Sequence, residues 1–184
     1  MRVITGSAKG IRLQTLEGLD VRPTTDRVKE GMFSSIQFDL PGARVLDLFA
    51  GSGQLGIEAL SRGAAEAVFV DQSKASLSTV RENLTRTRLT DKARLFQREA
   101  MQYLKSCPEQ CFDIVFLDPP YHKGILEKII PELCRLLRPG GKIVAEHEKN
   151  CKIAEEIFNL RLQREYFYGK IVVTVLLLPE EVEA

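Results

Sequence analysis

From residue 43 onward, apolar and polar positions alternate between two spacings. Short runs of β-branched and apolar residues, ARVLDLFA (43–50), AVFVD (67–71), ARLFQ (93–97), FDIVFLD (112–118) and KIVAEH (142–147), are nearly continuous, as in strands covered on both faces. Between them lie segments with apolar residues at helical spacing: 55–62, 74–87, a short one around 101–105, and 125–137. The last is closed by Arg138-Pro139-Gly140-Gly141. Strands alternating with helices predict five βα units and a parallel sheet. The end of the chain departs from this rhythm. There LRLQREYFY (160–168) and IVVTVLLL (171–178) flank a two-residue connection, Gly169-Lys170, which predicts an antiparallel hairpin. The pattern is that of an α/β fold: a doubly wound, Rossmann-like sheet of seven strands ending in that hairpin.

Residues 1–40 follow another pattern. MRVITG and IRLQT are strand-like and suit a small sheet or an arm. The run Arg22-Pro23-Thr24-Thr25-Asp26-Arg27-Val28-Lys29-Glu30 opens a helix that Thr25 or Asp26 caps, with Val28, Met32, Phe33 and Ile36 on its buried face. This segment is too short to fold alone. It is expected to be an appendage (1–40) over the binding edge of the sheet domain (41–184), the two forming one compact unit.

Composition narrows the class. A chain of 184 residues suits one domain, and 44% apolar content with 26 basic against 25 acidic residues excludes disorder as its main character. The longest apolar run, 171–178, contains Thr174 and falls far short of the roughly 20 residues that cross a bilayer. The opening MRVITGSAKG has no signal-like apolar segment, so a cytoplasmic, monomeric protein is expected. Cys107 and Cys111 have a ligand-like spacing, but Cys134 and Cys151 form no second close pair. Reduced thiols and no metal are therefore expected. A net charge of +1 does not suit a general nucleic-acid binder, yet Arg2, Lys9 and Arg12 precede the first acid, Glu17. The cluster Arg81, Arg86, Arg88, Lys92, Arg94 and Arg98 reads as a solvated face.

Ligands of such sheets bind at the carboxyl ends of the strands, and four features fall there. Gly51, Gly53 and Gly56 follow the first strand, where glycines let a ligand approach the backbone and a helix N-terminus offers N–H donors. This turn alone is shared by nicotinamide enzymes and others. Asp47 just before it would repel a pyrophosphate but suits an ammonium or a sulfonium. Asp71 ends the second strand 24 residues on, where an acid holds ribose hydroxyls. Glu99-Ala100 after the third strand could read an adenine edge or simply start a helix. Asp118-Pro119-Pro120-Tyr121 ends the fourth strand. Two prolines remove two donors and leave carbonyls free to accept, while the aromatic ring can stack. Together they form a receptor for a planar group bearing an exocyclic amine, whose poorly nucleophilic nitrogen is exposed once both hydrogens are accepted.

DLFAGSG followed by DPPY resembles S-adenosylmethionine-dependent methyltransferases of exocyclic amines. MRVITGSAKGIRL, RPTTDRVKEGMF (22–33) and AEHEK (145–149) are similar to the bacterial methyltransferases that modify guanine N2 in 16S ribosomal RNA. The resemblance implies that S-adenosylmethionine is held by Asp47, Phe49, Gly51 and Gly53, by Asp71 and Gln72, and by Glu99 and Ala100, with Thr25 closing over it. It implies that Asp118 and the Pro119 carbonyl hold the amine, that Pro120 stiffens the turn, and that Tyr121 stacks on the base. Related enzymes often carry Asp where this chain has Glu99. Arg2, Lys9, Arg12, Arg22, Arg27 and His122 are the implied RNA contacts, Arg22 and Thr24 also reaching toward cofactor and base. His147 is structural or part of the base pocket. The implied partner is 16S rRNA or the assembling small subunit. An adenine-N6 nucleic-acid methyltransferase, a nicotinamide oxidoreductase and a non-catalytic RNA-binding module are the other readings, and the oxidoreductase gives Asp47 and the DPPY segment no role.

Overall fold

The computed structural model describes residues 1–15, 26–120, 124–151, 153, 156–157 and 159–180. Five strands, β1 (Arg44–Asp47), β2 (Glu66–Asp71), β3 (Ala93–Gln97), β4 (Phe112–Leu117) and β5 (Leu137–Glu148), run parallel. The hairpin strands β7 (Leu160–Tyr168) and β8 (Ile171–Leu177) add antiparallel through β8 against β5. The order β3-β2-β1-β4-β5-β8-β7-β6 contains the seven expected strands plus β6 (Glu156–Ile157), a two-residue addition on the edge. The strand order reverses between β1 and β4, so the first crossover and the fourth strand end side by side.

Side chains alternate between two cores. Val45, Phe69, Phe116 and Val144 face helices α1 (Asp26–Ser35), α2 (Gln54–Ser61) and α3 (Lys74–Thr87), whereas Leu46, Val68, Val115 and Ala145 face α4 (Ala100–Ser106) and α5 (Leu126–Cys134). This two-sided burial is why the strands read as unbroken apolar runs. The N-terminal segment is built into the core. Val28, Met32, Phe33 and Ile36 are all buried, Phe33 packs 5.2 Å from the Phe116 ring, and Val3, Ala8 and Leu13 join the same core. Residues 1–13 form a small hairpin with Arg2 and Arg12 bridged across it and Val3 N–H donating to the Ile11 carbonyl at 3.0 Å.

One boundary differs from the pattern. The helix expected over 125–137 ends at Cys134, and Leu137 already pairs with Phe112 as the start of β5. The apolar spacing of Ile129, Ile130, Leu133, Leu136 and Leu137 is helical throughout and all five are buried, so periodicity alone extends the helix past its end. Arg138-Pro139-Gly140-Gly141 makes a register shift in the ladder, with Gly140 at φ +77°, instead of closing a helix. No helix among the described residues is long and apolar enough to cross a membrane.

Candidate active site

The β1–α2 turn is built by backbone bonds. Ala50 N–H donates to the Val70 carbonyl, and Gly53 N–H to the Ala50 carbonyl at 2.6 Å. Gly53 precedes α2 with φ 78° and no side-chain cap, so the first N–H groups of a wholly buried helix face the strand ends. A Cβ on Gly53 would lie 3.1 Å from Val80, and one on Gly56 would lie 2.3 Å from the Phe69 ring. The first glycine is thus required by backbone twist and the second by close packing of helix on sheet.

Two carboxyls converge on this turn. Asp47 is buried, and its Oδ2 accepts from Gly56 N–H at 2.9 Å. Burial pushes its carboxyl up to about 7; the negative Asp71 adds to the rise and the Gly56 bond opposes it. Asp71 accepts from Gly51 N–H at 2.9 Å and from Ser73 N–H at 2.8 Å, which ties the turn to the second crossover. A buried acid held protonated beside a second acid is relieved by a cation, so these residues fit a ligand with an ammonium and a sulfonium. Phe49 is half-buried beside them and Gln72 is exposed. Glu99 caps α4, accepting from Gln102 N–H at 3.0 Å, while Ala100 is buried at the helix start. Of the two roles open to Glu99, the structure shows the helix-starting one.

Asp47 pairs in register with Phe116, so the chain leaving β4 at Asp118 runs beside the glycine turn. Asp118 is half-buried, Pro119 buried and Pro120 exposed. The two prolines wall a cleft of about 200 Å³ completed by Gly124 to Glu127 at the start of α5, by Glu146, His147 and Glu148 at the end of β5, and by Asn150 and Cys151. His147 lines this cleft and is also tied inward. Its Nδ1 lies 2.9 Å from the Glu148 carbonyl, which can only accept, and its Nε2 lies 2.7 Å from the Thr174 hydroxyl. These two contacts are those of a structural histidine. Tyr121 and His122 lie outside the described residues, as do Arg22, Thr24 and Thr25.

The arm carries its cations outward: Arg2, Lys9, Arg12 and, on α1, Arg27 are exposed, with Arg2 Nε 3.1 Å from Asp26. What holds the arm was not read from the sequence. Glu58, fully buried, accepts from Ile4 and Thr5 N–H at 2.8 and 3.0 Å and pairs with Arg62 and with the equally buried Lys29. Lys29 Nζ also donates to the Arg2 carbonyl at 2.6 Å; burial pushes its pKa down and Glu58 counters. Asn83, buried on α3, accepts from Gln14 N–H and donates to the carbonyls of Gln14 and Ser52. It therefore joins the arm to the glycine turn. Lys29 and Asn83 each occupy an apolar stripe (Val28, Met32, Phe33; Leu77, Val80, Leu84), and a polar residue in such a stripe was the available signal.

Comparison with known proteins agrees with this geometry. The sequence model of the family described as "Conserved hypothetical protein 95" matches residues 1–177. A Bacillus subtilis (strain 168) relative, provisionally named rRNA methyltransferase YlbH, is 42% identical over 173 residues, covering 92% of this chain and 94% of its own. Ribosomal RNA small subunit methyltransferase D of Haemophilus influenzae is 37% identical over 154 residues, covering 82% of this chain and 80% of its own. A solved Escherichia coli structure, provisionally described as the methyltransferase yhhF, superposes with TM-score 0.85 at 34% identity, over 98% of this chain and 99% of that one. The chain belongs to the Conserved hypothetical protein 95 family, the family of the ribosomal RNA small subunit methyltransferase D proteins.

Proposed function

We propose that this chain transfers a methyl group from S-adenosylmethionine to the exocyclic N2 amine of a guanine in small-subunit ribosomal RNA. The observation that carries the reading is the meeting of two half-sites. Strand pairing brings Asp118 beside the glycine turn and the Asp47–Asp71 pair, and the next two residues, Pro119 and Pro120, line the cleft. When bound, the cofactor supplies a methyl carbon made electrophilic by a positively charged sulfur. Asp47 and Asp71 balance its cationic and hydroxyl-bearing parts, and the turn lets it reach the N–H groups of α2. Asp118 and the Pro119 carbonyl accept the hydrogens of the amine, which frees its lone pair for in-line attack. The proton released from the nitrogen passes to Asp118 or to water. A guanine in a duplex cannot reach such a cleft, so the base must be unstacked.

Cleft chemistry supports guanine over adenine. Glu127, Glu146 and Glu148 line it, and their carboxylates are acceptors. Guanine presents N–H donors at both N1 and N2, whereas adenine presents an acceptor at N1. The test incubates the protein with labelled S-adenosylmethionine and small subunits lacking the modification, then identifies digested nucleosides by mass spectrometry. N2-methylguanosine is the expected product. N6-methyladenosine would move the enzyme to the other base, and no labelled nucleoside would overturn the reading.

A further inference from the structure

The cleft has a neighbour that the reaction leaves unused. Strands β5, β8 and β7 lie side by side, and their register sets His147 opposite Val172 and Val172 opposite Phe167. Directly paired residues of antiparallel strands project to one face. It is the α5 face, because Ala145 and Leu176, in step with this row, pack with Ile129 and Leu133. With strands about 4.8 Å apart, Phe167 lies roughly 10 Å from His147. Along the row exposure rises abruptly. His147 and Val172 are buried, but Phe167 is 61% exposed. Among the described residues the other large apolar side chain left in water is Phe38, in the loop before β1 at the amino ends of the parallel strands, away from the cleft.

The surroundings of Phe167 say what would cover it. The β7–β8 turn brings Lys170 against the end of β5, where Lys149 N–H donates to the Lys170 carbonyl at 3.0 Å, and both lysines are exposed. Glu165, the acid on this face, accepts from the Thr174 hydroxyl at 3.3 Å. Acceptors thus line the cleft and cations its outer rim, which matches a base edge turned inward and a phosphate backbone passing outside. A buried apolar partner would have no use for the lysines.

We infer that Phe167, with Lys149 and Lys170, forms a second nucleotide subsite, in which a base adjoining the target stacks on the Phe167 ring while the lysines hold its phosphates. The subsite rests on the RNA reading above. Extruding one guanine leaves its neighbours unstacked, and single-stranded bases are commonly held on exposed aromatic rings.

Steady-state kinetics on naked 16S rRNA and on small subunits test it. Phe167→Ala is expected to raise the RNA KM about tenfold to a hundredfold, the usual effect of losing one stacked base. The turnover number and the affinity for S-adenosylhomocysteine should stay within about twofold, and Phe167→Tyr should restore the KM, since stacking needs only a ring. Lys149→Gln with Lys170→Gln, a variant independent of the ring, should lower the slope of log KM against log salt by about 1 to 2. Unchanged KM in Phe167→Ala and in the lysine variant, with the wild type active, overturns the subsite and leaves the methyltransferase reading standing. A KM rise seen on particles but not on naked RNA assigns the surface to a ribosomal protein and also overturns it. No methylated nucleoside from the wild type removes both.

Discussion

In the proposed reading Asp47 does two jobs whose demands conflict, and its titration exposes the conflict. The folded chain keeps a proton on this buried carboxyl up to about pH 7, whereas the unfolded chain loses it near the ordinary value of 3.8. Folded protein therefore binds more protons between those values, and stability falls as pH rises through that window, then levels off. The full span corresponds to about 4 kcal/mol at most. Asp47→Asn keeps an acceptor for Gly56 N–H and removes the charge. Urea denaturation should show the ligand-free variant more stable than wild type at pH 8 and flatter between pH 4 and 7. A cationic ligand needs the carboxylate, so cofactor binding near pH 7 should release protons, visible as a dependence of calorimetric heat on buffer ionisation. Asp47→Asn should abolish that dependence and weaken binding at least about tenfold. In the proposed reaction Asp118 stands on the other side of the transfer. Asp118→Ala should cut turnover by about 10² to 10³, the range for a lost acceptor or donor at a reacting centre, while S-adenosylhomocysteine affinity moves less than about threefold. Equal losses in turnover and cofactor affinity would place Asp118 in cofactor binding instead.

At the level of elements, α1 and the arm are fastened to α2 by buried charges. Lys29→Met removes one partner of a desolvated pair but leaves Glu58 with Arg62 at 2.8 Å and two backbone donors. A loss of about 3 kcal/mol is expected, the low end for breaking a buried ion pair, read as a lower urea midpoint at unchanged slope. Glu58→Leu should cost more, since it strands Lys29, Arg62 and the N–H groups of Ile4 and Thr5 together. Beyond the place of Lys29 in an apolar stripe, none of this is legible in the sequence, because periodicity scores apolar positions and Glu58 meets its arm partners 53 and 54 residues away. What was legible followed local rules: α3 lies over 74–87 as its stripe predicted, and β7 and β8 flank Gly169-Lys170 as hairpin spacing requires. The α5–β5 boundary was not legible because Leu136 and Leu137 continue the helical spacing of Ile129, Ile130 and Leu133 beyond the end of the helix. Glu99 shows the same limit within the candidate site, since a helix-capping acid and a ligand-reading acid leave one signature.

For the whole molecule, a net charge of +1 leaves no general field to draw RNA in, so attraction has to come from where the charges sit. The arm is the clearest such place, since Lys9 and Arg12 are exposed and no acid precedes Glu17 in the sequence. It is also structural: Val3, Ala8 and Leu13 are in the core, and the backbone of Ile4 and Thr5 satisfies Glu58. Charge and scaffold can be separated only by substitution. Lys9→Gln with Arg12→Gln should leave the urea midpoint within experimental error, weaken RNA binding, and reduce the slope of log Kd against log salt by about 1 to 2, since each phosphate left without its cation keeps its condensed counterion. Removing residues 1–13 should instead destabilise the fold by at least several kcal/mol, because a buried carboxylate loses two donors and a buried ammonium loses its carbonyl. If the truncated chain kept its stability and its cofactor affinity, the arm would be a separable RNA tether. If the double substitution left the salt slope unchanged, the cations that meet phosphate would lie elsewhere, and Lys149 and Lys170 beside the cleft would be next in line.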